Sequence, residues 1–272
     1  MAHPKGFYVH GYHPGESERL KDQAGTLADL LLSDTYYTPG CTVLEAGCGV
    51  GAQTLTLAQR SPDARFTSID LSRASLNEAE ALVSANGIVN VHFEQADIFY
   101  LPYKPNSFDH VFVCFVLEHL SDPARALKEL EKVLNPGGTL TVIEGDHGST
   151  YFYPDSDAAR AAIRCQIELQ RSAGGNALIG RQLYPLMIGA RLQQVRVSPR
   201  MVYVDGSRPD LIEGFTRKTF VAMIEAVRQA AVDAEIIDPV TFDAGIRDLQ
   251  RAARQDGVFC YTFFKGVGHK GA

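Results

Sequence analysis

Between Gly15 and Ser33 the apolar residues Leu20, Ala24, Leu27 and Leu31 recur at helical spacing, which predicts a helix that packs one face inward ahead of the first strand. Gln23 shares that face. The run Thr42 to Ala46 reads as a strand, a helix opens near Ala52, a second strand covers Arg65 to Asp70, and a helix from about Ser72 to Asn86 is ended by Gly87. This is a βαβ unit. A strand around Val91 to Gln95 leads through a proline- and aromatic-rich loop, Ile98 to Ser107, into a dense apolar strand, Phe108 to Val116. A helix from about Asp122 to Leu134 stops at Asn135-Pro136-Gly137-Gly138 and hands over to a strand from Thr139 to Ile143. Val111 to Val116 is apolar without alternation, as in a parallel strand covered on both faces, so the pattern predicts a doubly wound α/β sheet.

After Ile143 the alternation breaks. Glu144 to Gly180 holds a loop and a helix, Asp157 to Arg171, closed by Gly174-Gly175-Asn176; this reads as an insertion above the strand ends, with 148–180 as its lid. A short helix up to Gly189 leads to a strand from Val195 to Val204. A second insertion, Ser207 to Asp256, carries two helical patterns, the later opened by Asp238 as cap and Pro239 in the first turn. The last strand is Val258 to Phe264. With no internal repeat and no linker, the expectation is one domain over 1–272: an N-terminal helical cap (1–40), the lid insertion (148–180) and a helical insertion (207–256) before the last strand.

Composition narrows the class. A 272-residue chain with 45% hydrophobic and 9% aromatic residues can bury a sizeable core. No apolar run approaches the roughly 20 residues of a membrane span, and the first residues lack a signal-peptide core, so no membrane association and a cytoplasmic location are expected. A net charge of −6, with its 26 basic residues scattered, supplies no field for nucleic acid. The five cysteines have no metal-type spacing and read as reduced, packed thiols, so no metal site is expected.

The candidate chemistry begins at Val43-Leu44-Glu45-Ala46-Gly47-Cys48-Gly49-Val50-Gly51, where three close glycines join a strand to a helix and an acid precedes them. Glycine lets the chain turn tightly and press its backbone against a nucleoside-bearing cofactor. Gly47, Gly49 and Ala52, with Asp70 at the end of the next strand, also satisfy a dinucleotide-binding fingerprint, so the glycines alone leave an NAD-dependent oxidoreductase open. The third glycine, Gly51, falls one place earlier than a dinucleotide turn needs. A Tyr100-x-x-x-Lys104 pair cannot share a regular helical face because Pro102 lies between them.

The order of motifs from about Thr42 to Phe264 resembles the class I S-adenosylmethionine-dependent methyltransferases. Glu45 to Gly51 stands at that family's first motif, Asp70 at its second acid and Asp97 at its third. Phe108-Asp109, Leu117-Glu118-His119-Leu120 and Pro136-Gly137-Gly138 fill further familiar positions. Gly11-Tyr12, Glu18-Arg19-Leu20 and Gln23-Ala24 resemble the small-molecule branch of quinone and natural-product C-methyltransferases. The resemblance implies a Rossmann-like doubly wound seven-stranded sheet, mostly parallel with the last strand antiparallel, plus helical lid insertions. It also implies S-adenosylmethionine as cofactor, bound by Glu45, Gly47, Gly49, Gly51, Asp70, Leu71, Asp97, Ile98, Phe115 and Gln23. In these roles Asp70 accepts from the ribose hydroxyls, Asp97 from the adenine amino group, and Leu71 and Ile98 sandwich the ring.

A methyl acceptor that sheds a proton needs a base, and His147, His119 and Tyr12 are the candidates, His147 first. Glu144 and Asp146 accompany them beyond the fifth strand. Tyr8, Tyr12, Tyr151 and Tyr153 offer aromatic walls for a flat acceptor, and Arg181 could meet an anionic one. Arg160, Arg164 and Arg171 could do the same from the lid helix. The expected partner is a small molecule, an aromatic or secondary-metabolite carbon, or nitrogen or oxygen. The insertion helices also raise a homodimer. A regulatory protein that binds the cofactor without turnover is the alternative from another class.

Overall fold

A computed structural model describes residues 25–272. Helical residues 25–32 bury Leu27, Leu31 and Leu32, the inward face expected of the N-terminal helix. The chain then alternates through β1 (Thr42–Ala46), α1 (Ala52–Arg60), β2 (Arg65–Asp70), α2 (Arg73–Ala85), β3 (Val91–Gln95), β4 (Phe108–Cys114) and α3 (Pro123–Val133). It continues with β5 (Leu134–Tyr153), α4 (Asp157–Ser172), α5 (Leu183–Gly189) and β6 (Gln193–Val204). The helices of the second insertion follow, and β7 (Val258–His269) ends the sheet. Local chemistry sets the starts: Ser72 caps α2 through Ser75 N–H, Asp122 caps α3 ahead of Pro123, and Ser156 caps α4.

The seven strands lie in the order β3-β2-β1-β4-β5-β7-β6, with β7 antiparallel to both neighbours. This is the Rossmann-like architecture the resemblance implied. The chain leaves β1 toward β2 on one side and returns to β4 on the other, so the end of β1 is the switch point where a crevice opens. On one face α3 and α5 cover Leu44, Val111, Val113 and Val142. On the other, residues 25–32, α1, α4 and the second insertion cover Val43, Phe112, Ile143, Phe259 and Phe263. The two insertions meet each other, because Gly245 has no side chain to strike Ala158 O and Ala162. Among the described residues no helix is long and apolar enough to cross a membrane.

Two expectations need correcting. β5 does not stop at Ile143 but runs to Tyr153, with a register shift between Asp146 and Tyr151, so Glu144, Asp146 and His147 belong to the strand. Antiparallel pairing carries β5 and β7 past the parallel part of the sheet, and β6 and β7 are longer than their apolar cores for the same reason. The second insertion holds a helical turn (Pro209–Leu211), a π-helix (Ile212–Val221), α6 (Ala222–Ala226), α7 (Arg228–Asp233) and α8 (Pro239–Ala252), not two helices. α8 keeps the predicted Asp238 cap and first-turn proline. Tyr8, Tyr12 and Gln23 lie outside the described residues.

Candidate functional site

The glycine turn has three different reasons for its three glycines. All adopt the left-handed region, with φ of 76° at Gly47, 53° at Gly49 and 78° at Gly51. A Cβ on Gly47 would strike Val116, and one on Gly51 would lie 2.8 and 2.9 Å from Ala79 Cβ and Cα in α2. Those two permit packing. Among the described residues a Cβ on Gly49 would meet nothing within 4 Å, so this glycine is not there to permit packing among them.

Asp70 ends β2 beside it. Gly49 N–H donates to Oδ2 at 2.9 Å and Ser72 N–H to Oδ1 at 2.8 Å, which fixes the carboxylate. Burial raises the Asp70 pKa against the pull of the Ser72, Gly49 and Leu71 amides. A rigid carboxylate beside a glycine turn has the chemistry to accept from the vicinal hydroxyls of a ribose. Leu71, 59% exposed, stands next to it as an apolar face for a ring. Ile98 is buried against the core of that side, while Asp97 Oδ1 accepts from Phe99 N–H at 2.8 Å in a turn and keeps further acceptor capacity.

Glu45 lies beneath the turn, not in it. At 2% exposure it is beyond direct reach of a ligand, and its Oε2 accepts from Thr54 Oγ1 and Ser68 Oγ, both at 2.7 Å. Burial pushes its pKa up to about 7, with the Asp70 charge adding to the rise and the two hydroxyls opposing it.

At the end of β4, Phe115 takes φ 58° and donates its N–H to Ile143 O at 2.9 Å, turning Val116 onto Gly47. Glu144, fully buried, fixes this corner: Oε1 accepts from Val116 N–H at 3.0 Å and Leu117 N–H at 2.7 Å. Burial first, and then the charge of Glu118, hold its carboxyl well above the usual range. Glu118 in turn accepts from Gln170 of α4 on both its carbonyl (3.0 Å) and Oε2 (3.2 Å), and Asn176 N–H bonds the same carbonyl at 2.7 Å. The corner is therefore wired to the lid helix. His119 Nε2 lies 3.6 Å from Glu118 Oε1.

From Phe115 a file of rings runs outward: Phe263 at 5.4 Å, Tyr261 at 4.7 Å from Phe263, and His147 at 5.7 Å from Tyr261. Phe215 and Phe220 of the π-helix pack on it. His147 is buried and its Nδ1 lies 2.7 Å from Tyr261 Oη. Tyr261 and the hydroxyls that hold Glu45 were missed from the sequence, because a tyrosine within an apolar strand and a serine or threonine in a βαβ unit give no local signal. The structure does not bring Tyr151 and Tyr153 to this file. They are 57% and 63% exposed, on the face of β5 opposite buried Phe152, because side chains alternate along a strand. Arg181 is engaged as well, its Nε and Nη2 forking onto buried Asp146 at 2.6 and 2.7 Å. Arg160 and Arg171 pair with Asp155 and Glu168 at the surface.

Residues 37–176 match the family described as the methyltransferase domain. A 37.1 kDa protein of transposon TN4556 from Streptomyces fradiae is 34% identical over 73% of this chain and 57% of its own length. The 27-O-demethylrifamycin SV methyltransferase of Amycolatopsis mediterranei is 32% identical over 49% of each chain. The chain thus spans about half the length of the curated relatives it matches. In fold it is similar to Haemonchus contortus phosphoethanolamine N-methyltransferase 2 in complex with phosphomonomethylethanolamine and S-adenosylhomocysteine, with a TM-score of 0.57 at 17% identity over 91% of this chain and 53% of that one. With the glycine turn and the strand order already in place, the chain belongs to the class I S-adenosylmethionine-dependent methyltransferases.

Proposed function

We propose that this protein transfers a methyl group from S-adenosylmethionine to a small-molecule acceptor, an aromatic or secondary-metabolite compound with carbon as the favoured atom. The observation that carries the reading is the Asp70 carboxylate, clamped by the Gly49 and Ser72 amides beside a glycine, Gly49, whose Cβ position meets none of the described residues. Asp70 would hold the ribose hydroxyls, Asp97 the adenine amino group, and Leu71 one face of the ring. Gly47 and Gly49 would bring backbone to the methionine end, with Glu45 adding negative potential from below. When bound, the cofactor supplies a methyl group activated by a positively charged sulfur. The chain's part is to orient the acceptor and exclude water, for which the ring file from Phe115 to His147 is suited, since a positive sulfur is stabilised by aromatic faces. The Glu144 clamp supports this by fixing the corner that holds Phe115 and Val116.

Titration calorimetry with S-adenosylmethionine, S-adenosylhomocysteine and NADH tests the reading. Binding of the two adenosyl ligands alone is expected; binding of NADH alone would overturn it. Asp70→Ala should weaken S-adenosylhomocysteine by about 1.5–3 kcal/mol, a loss of roughly 10- to 150-fold in affinity, because two hydrogen bonds to a charged acceptor disappear. Equal affinity in parent and variant would remove Asp70 from the cofactor site.

A further inference from the structure

Helix α4 turns a polar pair inward. Gln166 and Gln170 lie one turn apart at 0% and 1% exposure, on the face that also buries Ala159, Ala162 and Ile163. Two leucines there would bury with no further requirement, whereas a buried amide must find partners for its donors and its acceptor. Gln170 finds them: its Nε2 donates to Glu118 O at 3.0 Å and to Glu118 Oε2 at 3.2 Å, and its Oε1 accepts from Gln166 Nε2 at 3.1 Å. A satisfied pair of this kind fixes one seat for the helix where apolar packing would permit several.

That seat is the corner after β4. Gln170 Nε2 and Asn176 N–H both reach the Glu118 carbonyl, and Gly175 lets the chain close on it, since a Cβ there would strike the same oxygen. Two residues back, Val116 packs against Gly47 of the cofactor turn and leaves no room for a Cβ, while Glu144 holds the Val116 and Leu117 amides. At its other end α4 is tied to the second insertion, where Ser156 Oγ donates to Asp248 Oδ2 at 2.5 Å and Gly245 of α8 lets Ala158 and Ala162 approach. Contacts therefore run without a break from the cofactor turn through Val116 and Glu118 to Gln170 and the two insertions.

We propose that Gln170 is a positioning residue that couples the cofactor turn to helix α4: a cofactor seated on Gly47 and Gly49 steadies Val116 and the Glu118 corner, and the Gln170 amide passes that order to the helix. This rests on the methyltransferase reading above and deepens it, because the lid that the methyl acceptor meets is then set by the cofactor, which binds first. By linkage, whatever orders α4 tightens the cofactor by the same factor. The Asn176 bond to Glu118 is made by backbone and joins only the segment after the helix, so it does not depend on the side chain at position 170.

Amide hydrogen exchange of the full chain, with and without saturating S-adenosylhomocysteine, reads the coupling directly. In the parent the ligand should slow exchange across α4, residues 157–172, by about threefold or more. Gln170→Met keeps the length of the side chain and removes its amide; it should bind S-adenosylhomocysteine within about threefold of the parent by calorimetry, yet lose the slowing at α4. Gln166→Leu alters the same buried face one turn away, leaves both bonds to Glu118 in place and should keep the slowing. Equal loss in the two variants would mean that packing of α4 carries the effect, and would overturn the role given to Gln170. Slowing that persists in Gln170→Met overturns it as well, and so does an affinity loss beyond about tenfold, which would make Gln170 a support of the cofactor site itself. A parent that binds the ligand with no change at α4 refutes the coupling even if neither variant folds. A parent that does not bind S-adenosylhomocysteine at all defeats the methyltransferase reading, so the two failures are distinguishable.

Discussion

At the scale of single residues, Glu45 is a buried carboxyl held by two hydroxyls. Two hydroxyls satisfy its Oε2, yet desolvation still lifts its pKa from an ordinary 4.5 to about 7. Because the folded-state value lies above the unfolded one, the native chain binds this proton more tightly. The contribution to stability is full below about pH 4.5 and is lost as pH rises through about 7. Asp70 and Glu144 are shifted in the same direction. Denaturation midpoints should therefore fall between about pH 5 and 8, Glu45 accounting for on the order of 1–3 kcal/mol. Glu45→Gln keeps an oxygen for Thr54 and Ser68 and should flatten that fall without abolishing it; a profile as steep as the parent's would count against a titrating Glu45.

At the scale of elements, the β1-turn-α1 unit separates stability from binding. Gly51→Val must place side-chain atoms against α2 at Ala79 while holding φ near 78°, so a loss of about 2–4 kcal/mol is expected in thermal or denaturant melts. Ala79→Gly in the same chain should recover only part, since it relieves the collision but not the backbone strain. Gly49→Ala should behave differently. Its methyl meets none of the described residues, so stability falls by only about 1–2 kcal/mol for the left-handed conformation, while S-adenosylhomocysteine affinity falls at least about tenfold. Calorimetry and melting curves on the two variants read the two effects independently. The π-helix Ile212–Val221 makes a related point, bringing Phe215 and Phe220 both onto the rings of β7.

At the scale of the whole molecule, a buried cation ties the segment before β1 to the far side of the sheet. Lys265 of β7 is 3% exposed, and its Nζ donates to Asp34 Oδ1 and Thr35 Oγ1, both at 2.5 Å, and to Leu31 O at 3.4 Å. Asp34 also pairs with Arg200 of β6. Lys265→Met keeps the buried stem and removes those bonds, for an expected loss of about 1–3 kcal/mol, tempered because Asp34 is half exposed. Pairing it with Asp34→Asn should cost less than the two single changes summed; strict additivity would mean that the pair does not couple.

The sequence by itself determined the βαβ rhythm, the caps at Ser72, Asp122 and Asp238, and the glycine turn after β1. These are set by nearest neighbours: a helix period, a capping side chain, a glycine where φ must be positive. Local pattern also explains the early end predicted for β5, because apolar runs record burial, and the antiparallel β5–β7 extension alternates exposed Tyr151 and Tyr153 with buried Phe152. Only the tertiary structure decided that Gly51 serves packing while Gly49 meets none of the described residues, that Arg181 is bound to Asp146, and that Tyr261 meets His147 114 positions away. Those facts depend on which strands become neighbours, and sheet pairing joins residues that carry no mark of one another along the chain.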